Sequence, residues 1–422
     1  MPRMRLSQLN TLQMLETIRI EGSISRSQVA EKTGTSPFLA SKICDKLLAT
    51  RFIIEAGQGD STGGRRPALL SLSPDLGRLI GVNLGAVNVR IAMTDFSGAL
   101  IDYVKDRSCA DQGPDVAIHH LMELIDQMLE KSGLSYSSLD AIGIGVSGVI
   151  ERNTGVTLFW PKLPLWVNVP VKKMLEERYK TLVKLEDASR TQAFAEYRLG
   201  GANSAEHFIY IAVGAGIGAA LFLNGKLYQG AGGFAGEFGH ITVSETGPLC
   251  SCGNRGCLET MVSASALIRK VQNGLSAGLS NTLMQIAQGN SQNVSVEMLA
   301  EAARKGDRFS LRLLSEAGEN LGRAIVGLIN LLNPGLIVIG AGVASAVGDL
   351  ILPEIQRAVR DRAIIQAVDQ VQIRMSKLQE RDWALGGTFL VAEEALARAF
   401  LKSQESKKGR LVREVLRRSL KS

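Results

Sequence analysis

A cluster of three cysteines and one histidine is the stretch of this sequence with the most specific chemistry. His240 is followed by Cys250, Cys252 and Cys257 in the segment GEFGHITVSETGPLCSCGNRGCLE. Three thiolates and one imidazole make a complete tetrahedral shell for Zn²⁺, and the intervening glycines allow the sharp turns that such a shell needs. Because four protein ligands leave no open position, the pattern predicts a structural zinc site. The alternative is a set of reduced cysteines in a loop.

Carboxylates flank this cluster and also end a predicted strand. Glu237 precedes His240 by three residues, and Glu259 follows the last cysteine by two. A bound metal would fix both carboxylates beside one cleft, where they can accept hydrogen bonds from a polyol. Glu186 and Asp187 close the predicted strand LVKLED, a position suited to general-base or hydroxyl-binding work. The alternatives are support of the zinc ligands for the first pair and helix capping for Asp187.

An internal repeat indicates the body that positions these residues. Residues 79–104 and 208–230 each read as strand, glycine turn, strand, tight turn, strand. Two such copies separated by helices predict an α/β body with two similar lobes facing a cleft. Further buried strands are predicted at 141–150 and 336–343, and an aromatic, proline-rich loop at 159–170 would wall a pocket.

The N-terminal part of the chain, as far as Leu72, predicts a winged helix-turn-helix. Apolar residues recur at helical spacing over 6–20, and a second helix follows Ser25 and ends at Gly34. Ser36 caps a third helix with Pro37 at its first position, and this helix would enter the DNA major groove. Two strands around GQGDSTGG then form a wing. The expected DNA contacts are Ser36, Pro37, Phe38, Ser41 and Lys42 on the helix and Arg65 and Arg66 on the wing. The alternatives are a helical hairpin used for dimerisation and a solvated turn.

The distribution of charge supports a nucleic-acid partner. The chain has 422 residues, 45% of them hydrophobic, and a formal net charge of +7. The segment 1–72 carries a net +4 and the segment 402–422 a net +6, so the part between them, 73–401, carries −3. Basic ends around a nearly neutral body suit binding of a polyanion. The tail 402–422 reads as a basic helix that can bind DNA, an acidic membrane face or a protein partner.

Length and hydropathy set the expected compartment and class. A chain of this size and apolar content predicts a globular protein with two or three domains. Residues 324–348 contain no charge, but asparagines, a proline and a glycine interrupt them, so we expect no membrane span. With no secretory signal, the expected location is cytoplasmic.

These motifs together resemble the ROK family of repressors, open reading frames and sugar kinases. The most specific match is GEFGH…CSCGNRGCLE, joined by VGAGIGAALFLNG and NLLNPGLIVIGAGV, within a resemblance from about residue 6 to 400. The resemblance implies an actin-like, ribonuclease-H-like two-lobed body with zinc, assembled as a homodimer or tetramer. The expected domains are a winged helix at 1–76, a first lobe at 77–200 completed by a helix near 385–401, a second lobe with zinc at 201–384 and a basic tail at 402–422.

The phosphate loop departs from the pattern of the family's kinases. Those kinases carry DxGGT, whereas this chain reads NLGAV, with Asn83 for the acid, Ala86 for the second glycine and Val87 for the threonine. A neutral amide cannot organise magnesium as a carboxylate does, and phosphoryl transfer depends on such positioning and charge. Asp187 occupies the position of the family's catalytic base, but as a vestige. We therefore predict little or no kinase activity.

The sugar pocket implied by the family is partly kept. Asp187, Glu237, His240 and Glu259 match the family's sugar-contacting positions. Lys162 and Glu186 stand where the family commonly has asparagine. These two can pair and fill the pocket, or can recognise a charged ligand. The resemblance still implies a sugar or sugar derivative as the effector.

The leading hypothesis is a dimeric, zinc-containing transcription factor that represses carbohydrate uptake or catabolic genes. Two winged helices on a two-fold dimer would read a pseudo-palindromic operator, and a sugar in the cleft would control binding. One alternative is an active sugar kinase that also binds DNA. Another is a regulator controlled by a protein partner through the C-terminal tail.

Overall fold

The computed structural model describes residues 6–59, 66–161 and 163–419, with side chains described as far as Gln404. Arg65 and Lys162, both predicted site residues, lie outside the described residues. The described chain forms two compact units. The first runs to Glu186 and resumes at Ala384, and the second comprises residues 187–383. None of the described helices has the length and apolar composition that a membrane span requires.

Capping residues determine where the N-terminal helices begin and end. Ser25 and Gln28 form the predicted capping box, and Gly34 ends the helix in the left-handed conformation at φ 65°. Ser36 accepts a hydrogen bond from the backbone N–H of Leu39 and starts the next helix. The predicted helices are confirmed. This N-terminal segment, residues 6–72, comprises α1 (Leu6–Glu21), β1 (Ile24–Ser25), α2 (Arg26–Thr33), α3 (Pro37–Ala49), β2 (Ile53–Gln58) and β3 (Ala68–Leu72), with the sheet order β1-β3-β2.

The rest of the first unit is built on a five-stranded sheet. Its strands β4 and β5 are antiparallel, as are β5 and β6, while β4 and β7 are parallel. The order is β11-β7-β4-β5-β6, and α4 and α5 contribute side chains to the core on one face. The elements are β4 (Arg78–Leu84), β5 (Asn88–Thr94), β6 (Leu100–Arg107), α4 (Pro114–Lys131), β7 (Leu139–Val146), β8 (Val149–Glu151), β9 (Val156–Trp160), β10 (Leu163–Val169), α5 (Val171–Tyr179) and β11 (Leu182–Asp187).

The prediction of an aromatic, proline-rich loop at 159–170 is wrong, because most of this segment forms strands. β8, β9 and β10 make a small antiparallel sheet. Trp166 is fully buried, its indole N–H donates to the Ala110 carbonyl at 2.9 Å, and its ring meets Trp160 edge-on at 5.0 Å. The two rings therefore belong to the core of the first unit. The prolines suggest a loop, but burial of both indoles stabilises the strand pair.

The second unit repeats the strand order of the first. Its sheet runs β14-β13-β12-β15-β16, a meander followed by two further strands, as in the first unit. The predicted repeat is thus confirmed. The elements are α6 (Ala188–Leu199), β12 (Phe208–Val213), β13 (Ile217–Leu223), β14 (Lys226–Tyr228), α7 (Leu258–Val262), α8 (Ala264–Ser276), α9 (Asn281–Ile286), α10 (Val296–Arg304), α11 (Arg308–Leu332), β15 (Leu336–Gly340), α12 (Ala341–Arg362), α13 (Ile365–Val368) and β16 (Gln372–Met375). β15 is shorter than predicted, because the chain turns at Ala341 (φ 70°) into α12.

A 40-residue helix, α14 (Glu380–Ser419), contains the predicted C-terminal helix and runs on into the tail. Gly387 approaches Gly143 on β7 so closely that a Cβ on either would overlap the carbonyl oxygen of the other. Farther along, Leu396 and Phe400 share one core with α1, α3 and β3 of the N-terminal segment, and Phe400 meets Phe52 edge-on at 5.8 Å. The same helix thus packs on the sheet of the first unit and on the N-terminal segment.

Candidate functional site

The predicted site acids Asp187, Glu237 and Glu259 all belong to the second unit and lie near the start of β13. The chain turns from β12 to β13 through Gly214–Gly216 and then runs along Ile217, Gly218 and Ala219, paired with β12. Glu259 and Gly236, the residue before Glu237, each accept a hydrogen bond from this strand, and Asp187 lies beside Gly218. The glycine turn is evident in the sequence, but its role as the meeting point is not.

Asp187 ends β11 and caps α6. Its Oδ1 accepts hydrogen bonds from the backbone N–H of Ser189 at 2.8 Å and from the Ser189 hydroxyl. Both the strand-end prediction and the capping alternative are therefore confirmed. A Cβ placed on Gly218 would lie 2.9 Å from Ser189 Oγ and 4.0 Å from Asp187 Oδ1. A side chain at position 218 would therefore crowd Ser189, and glycine there leaves room for the capping Asp187 and Ser189 beside β13.

Glu259 lies in the first turn of α7 and is tied to the same strand. Its Oε2 accepts a hydrogen bond from the backbone N–H of Ile217 at 3.0 Å. A Cβ on Gly216 would lie 2.6 Å from this oxygen, so a side chain at 216 would displace the carboxylate. The other carboxylate oxygen of Glu259 retains acceptor capacity for a ligand hydroxyl.

Glu237 is placed by the glycine before it. Gly236 adopts φ 96°, in the left-handed region that favours glycine. Its carbonyl accepts a hydrogen bond from the N–H of Ala219 at 2.8 Å, and a Cβ on Gly236 would overlap the Ala219 carbonyl. Desolvation, and then the negative charge of Asp187, raise the pKa of the Glu237 carboxyl. Glu259 adds to this rise and His240 opposes it. The acids therefore form one electrostatic group.

The four predicted metal ligands also come together. The ligand atoms of His240, Cys250, Cys252 and Cys257 all lie within 4.8 Å of one another. Cys250 Sγ is 3.6 Å from His240 Nδ1, and the Sγ atoms of Cys252 and Cys257 are 3.7 Å apart. His240 turns its other nitrogen toward Glu237, with Nε2 3.9 Å from Oε2. Such a group of side chains can hold a metal ion.

The environments of the thiols differ. Burial, together with hydrogen bonds to the neighbouring cysteines, raises the pKa of the Cys257 thiol to about 12. A hydrogen bond from the backbone N–H of Asn254 lowers the pKa of exposed Cys252. Thiolates held this close repel one another, and a bound cation would relieve that repulsion.

Glu186 has a partner that the sequence does not reveal. Its buried side chain pairs with Arg152, whose Nε lies 3.0 Å from Oε1. The partner suggested by the sequence, Lys162, lies outside the described residues. Arg152 follows β8 in a turn and belongs to no recognised motif, so only the fold brings it to Glu186.

The predicted DNA-contacting residues of the N-terminal segment are mostly accessible. Ser36, Pro37, Phe38 and Lys42 are exposed, Phe38 to 80%. Ser41 is half-buried and accepts a hydrogen bond from Arg26 Nη1 at 3.2 Å, while Arg26 also pairs with Asp45 at 2.7 Å. Arg66, just before β3, is exposed. Phe38 and Lys42 are therefore both accessible to a partner.

The segment NLGAV, predicted to be a degenerate phosphate loop, spans the end of β4 and the turn to β5. Asn83 is buried on β4 opposite Arg90 of β5, and Ala86 and Val87 form the turn, with Val87 exposed to 68%. The segment therefore has an amide on β4 where the resemblance calls for an acid, and an apolar Val87 in the turn where it calls for a hydroxyl.

Comparison with known proteins gives a consistent assignment. The ROK family model matches residues 79–394. A putative xylose repressor from Caldicellulosiruptor sp. (strain Rt8B.4) is 32% identical over 392 residues, covering 93% of this chain and 97% of that protein. A glucokinase from Thermotoga maritima is 30% identical over 316 residues, covering 75% of this chain and 98% of the enzyme.

A solved structure matches nearly the whole length. The crystal structure of a ROK family transcriptional regulator, a homologue of the E. coli MLC protein, has a TM-score of 0.78 and 25% identity. The match covers 94% of this chain and 98% of that one. The family model, the sequence relatives and this structure agree: the chain belongs to the ROK family.

Proposed function

We propose that this protein is a DNA-binding repressor of carbohydrate uptake or catabolic genes, controlled by a sugar or sugar derivative. The observation that carries the proposal is the convergence of Asp187, Glu237 and Glu259 on β13 in a chain that also has an N-terminal segment with an exposed helix surface. The xylose repressor resembles this chain over both parts, whereas the glucokinase aligns with three quarters of it.

The N-terminal segment would act as a winged helix-turn-helix. α2 and α3 are joined by a short turn at Gly34, and the antiparallel strands β2 and β3 would form the wing. α3 would enter the major groove with Phe38 and Lys42 toward the DNA, and Arg65 and Arg66 would contact the backbone or minor groove. Two copies in a homodimer would read a pseudo-palindromic operator.

The acids around β13 would hold the sugar. Asp187, Glu237 and Glu259 offer carboxylate oxygens, and His240 presents Nε2 on the same side as Glu237. Sugar hydroxyls donate readily to such oxygens, and charged hydrogen bonds of this kind are worth about 1.5–3 kcal/mol each. Glu186, paired with Arg152, stays a predicted ligand-binding residue.

The cysteine cluster would hold Zn²⁺. Sulfurs about 2.3 Å from a tetrahedral Zn²⁺ are about 3.8 Å apart. The separation of 3.7 Å between Cys252 and Cys257 matches this geometry. Bound zinc would supply a rigid crosslink, with all four ligands from the protein. His240 belongs to both sets, so the metal would orient the imidazole that faces the sugar.

Phosphoryl transfer is not part of the proposal. Asn83 is a buried amide that cannot organise Mg²⁺, so Asp187 would act only as a hydroxyl acceptor. The retained Asp187 favours one alternative, a sugar kinase that also binds DNA. A second alternative is a regulator controlled by a protein partner at the tail.

Thermal unfolding against a ligand panel tests the proposal. The panel contains neutral sugars, amino sugars, sugar acids and sugar phosphates, with ATP and Mg²⁺ in a separate arm. We expect one sugar class to raise the Tm and ATP with Mg²⁺ to leave it unchanged. Asp187→Asn should abolish the sugar shift. A shift with ATP, or none with any sugar, contradicts the proposal.

A further inference from the structure

Arg190 links the two elements that carry Asp187 and Glu237. It lies in the first turn of α6, three residues after Asp187, and is only 3% exposed. Its Nη2 donates to the carbonyl of Gly233 at 2.9 Å and to the carbonyl of Ala235 at 2.5 Å. Ala235 precedes Glu237 by two residues, so one guanidinium connects the start of α6 to the segment that ends just before Glu237.

That segment, residues 229–236 (QGAGGFAG), has little to fix its shape from within. Four of its eight residues are glycine. Its internal backbone hydrogen bonds include Ala235 N–H to Gln229 O at 3.1 Å and Gly233 N–H to Gly230 O at 3.4 Å, and Phe234 is 55% exposed. Glycine-rich backbone loses more conformational entropy on ordering than other sequences. Contacts from outside the segment must therefore hold it.

Arg190 is a poor residue for stabilising α6 itself. A cation in the first turn opposes the helix dipole, and burying it costs hydration. The two carbonyls of the glycine-rich segment offset that cost, because hydrogen bonds from a charged donor are strong. We therefore expect the hydrogen bonds of Arg190 to stabilise the glycine-rich segment rather than α6.

We propose that Arg190 is a positioning residue that fixes segment 229–236, and through it Glu237, relative to Asp187. Its effect on ligand rests on the proposed sugar-binding function, whereas its effect on the segment does not. On the far side of the segment, Gly236 is held by Ala219 of β13. Before the segment, β14 pairs with β13. With Arg190 removed, the stretch between these two anchors loses the contacts to its Gly233 and Ala235 carbonyls, and a sugar must order that stretch on binding.

Hydrogen exchange tests the contact without any ligand. In Arg190→Gln the amides of residues 229–237 should exchange at least about tenfold faster, while α8 and α11 remain unchanged. Arg190→Lys should fall between, since one ammonium can still donate to a carbonyl. The control is Arg269→Gln, which removes an exposed arginine that donates to the Thr260 carbonyl at 3.4 Å. Unchanged exchange at 229–237 in both Arg190 variants overturns the proposal.

Calorimetric titration with D-xylose, D-glucose and N-acetyl-D-glucosamine tests the consequence. We expect Arg190→Gln to weaken the sugar that binds the unmodified protein by about tenfold or more, with unchanged metal content and partial rescue in Arg190→Lys. A mobile segment with unchanged affinity overturns the positioning role. If neither these three nor any other member of the ligand panel binds the unmodified protein, the sugar-effector proposal is contradicted, and hydrogen exchange still decides whether Arg190 holds the segment. If Arg190→Gln does not fold, Arg190→Lys provides both readouts.

Discussion

Replacing Phe400 by alanine removes one ring from the core that joins α14 to the N-terminal segment. Phe400 is 2% exposed and Phe52 is 6% exposed, and the two rings meet edge-on at an interplanar angle of 81°. Truncating a buried phenylalanine costs about 3–5 kcal/mol, from lost burial and the cavity that remains. The edge-on pair itself contributes about 0.5–1.5 kcal/mol of that.

Hydrogen exchange at α3 measures this cost locally, which matters because a chain with two compact units need not unfold in one step. In Phe400→Ala the α3 amides that exchange through opening of this core should exchange between about a hundred and a few thousand times faster. The double-mutant cycle with Phe52→Ala should return a coupling of about 0.5–1.5 kcal/mol.

Phe38→Ala is the matched control. It makes the same chemical change on α3 at a ring that is 80% exposed. We expect Phe38→Ala to lower the free energy of opening at α3 by less than about 0.5 kcal/mol and to weaken DNA binding. If Phe400→Ala leaves α3 exchange unchanged, or the cycle gives no coupling, α14 does not support the N-terminal segment.

Three further predictions concern the metal, the acids and the wing. Cys252→Ser should lower the zinc content, measured by mass spectrometry, below one per chain and should also lower the Tm. Cys109→Ser, a control outside the cluster, should leave the zinc content and the Tm unchanged. A Cys252→Ser variant that is fully stable and metal-free contradicts the structural-zinc proposal. Sugar affinity should fall as pH is lowered, beginning above the pH at which an ordinary glutamate protonates, because the pKa of the Glu237 carboxyl is raised. Glu237→Gln should flatten this pH dependence. A flat pH profile in the unmodified protein refutes the role of Glu237 as an acceptor. Arg65→Ala with Arg66→Ala should weaken DNA binding and reduce the salt slope by about two, at about 0.9 per phosphate contact; an unchanged slope removes the wing from the interface.

Local signals in the sequence were enough for the N-terminal helices and for the repeat. Ser25, Gly34 and Ser36 act through hydrogen bonds within a few residues, so their effect is visible without the fold. The repeated strand and glycine-turn pattern predicted both meanders, because strand period and turn chemistry are also local. The cysteine and histidine spacing likewise predicted the cluster.

Contacts between residues distant in sequence could not be predicted in this way. Arg152 meets Glu186 from the turn between β8 and β9, and Arg190 reaches carbonyls that lie beyond β14. Neither residue belongs to a motif, and a lone arginine has no periodicity to reveal its partner. Burial of Trp166 against Ala110 likewise determined the strands that proline content had argued against.

In the proposed mechanism, sugar binding controls operator binding without sugar phosphorylation. The most direct measurement is the affinity of the purified protein for a duplex selected from a random-sequence library. It would be titrated with each sugar of the panel, with ATP and Mg²⁺ in a parallel arm assayed for sugar phosphate. We predict tight, salt-dependent binding that one sugar class weakens at least tenfold, with no sugar phosphate formed. Steady production of sugar phosphate with unchanged operator affinity would contradict this mechanism. Failure of the library to yield any duplex that the protein binds would also contradict it.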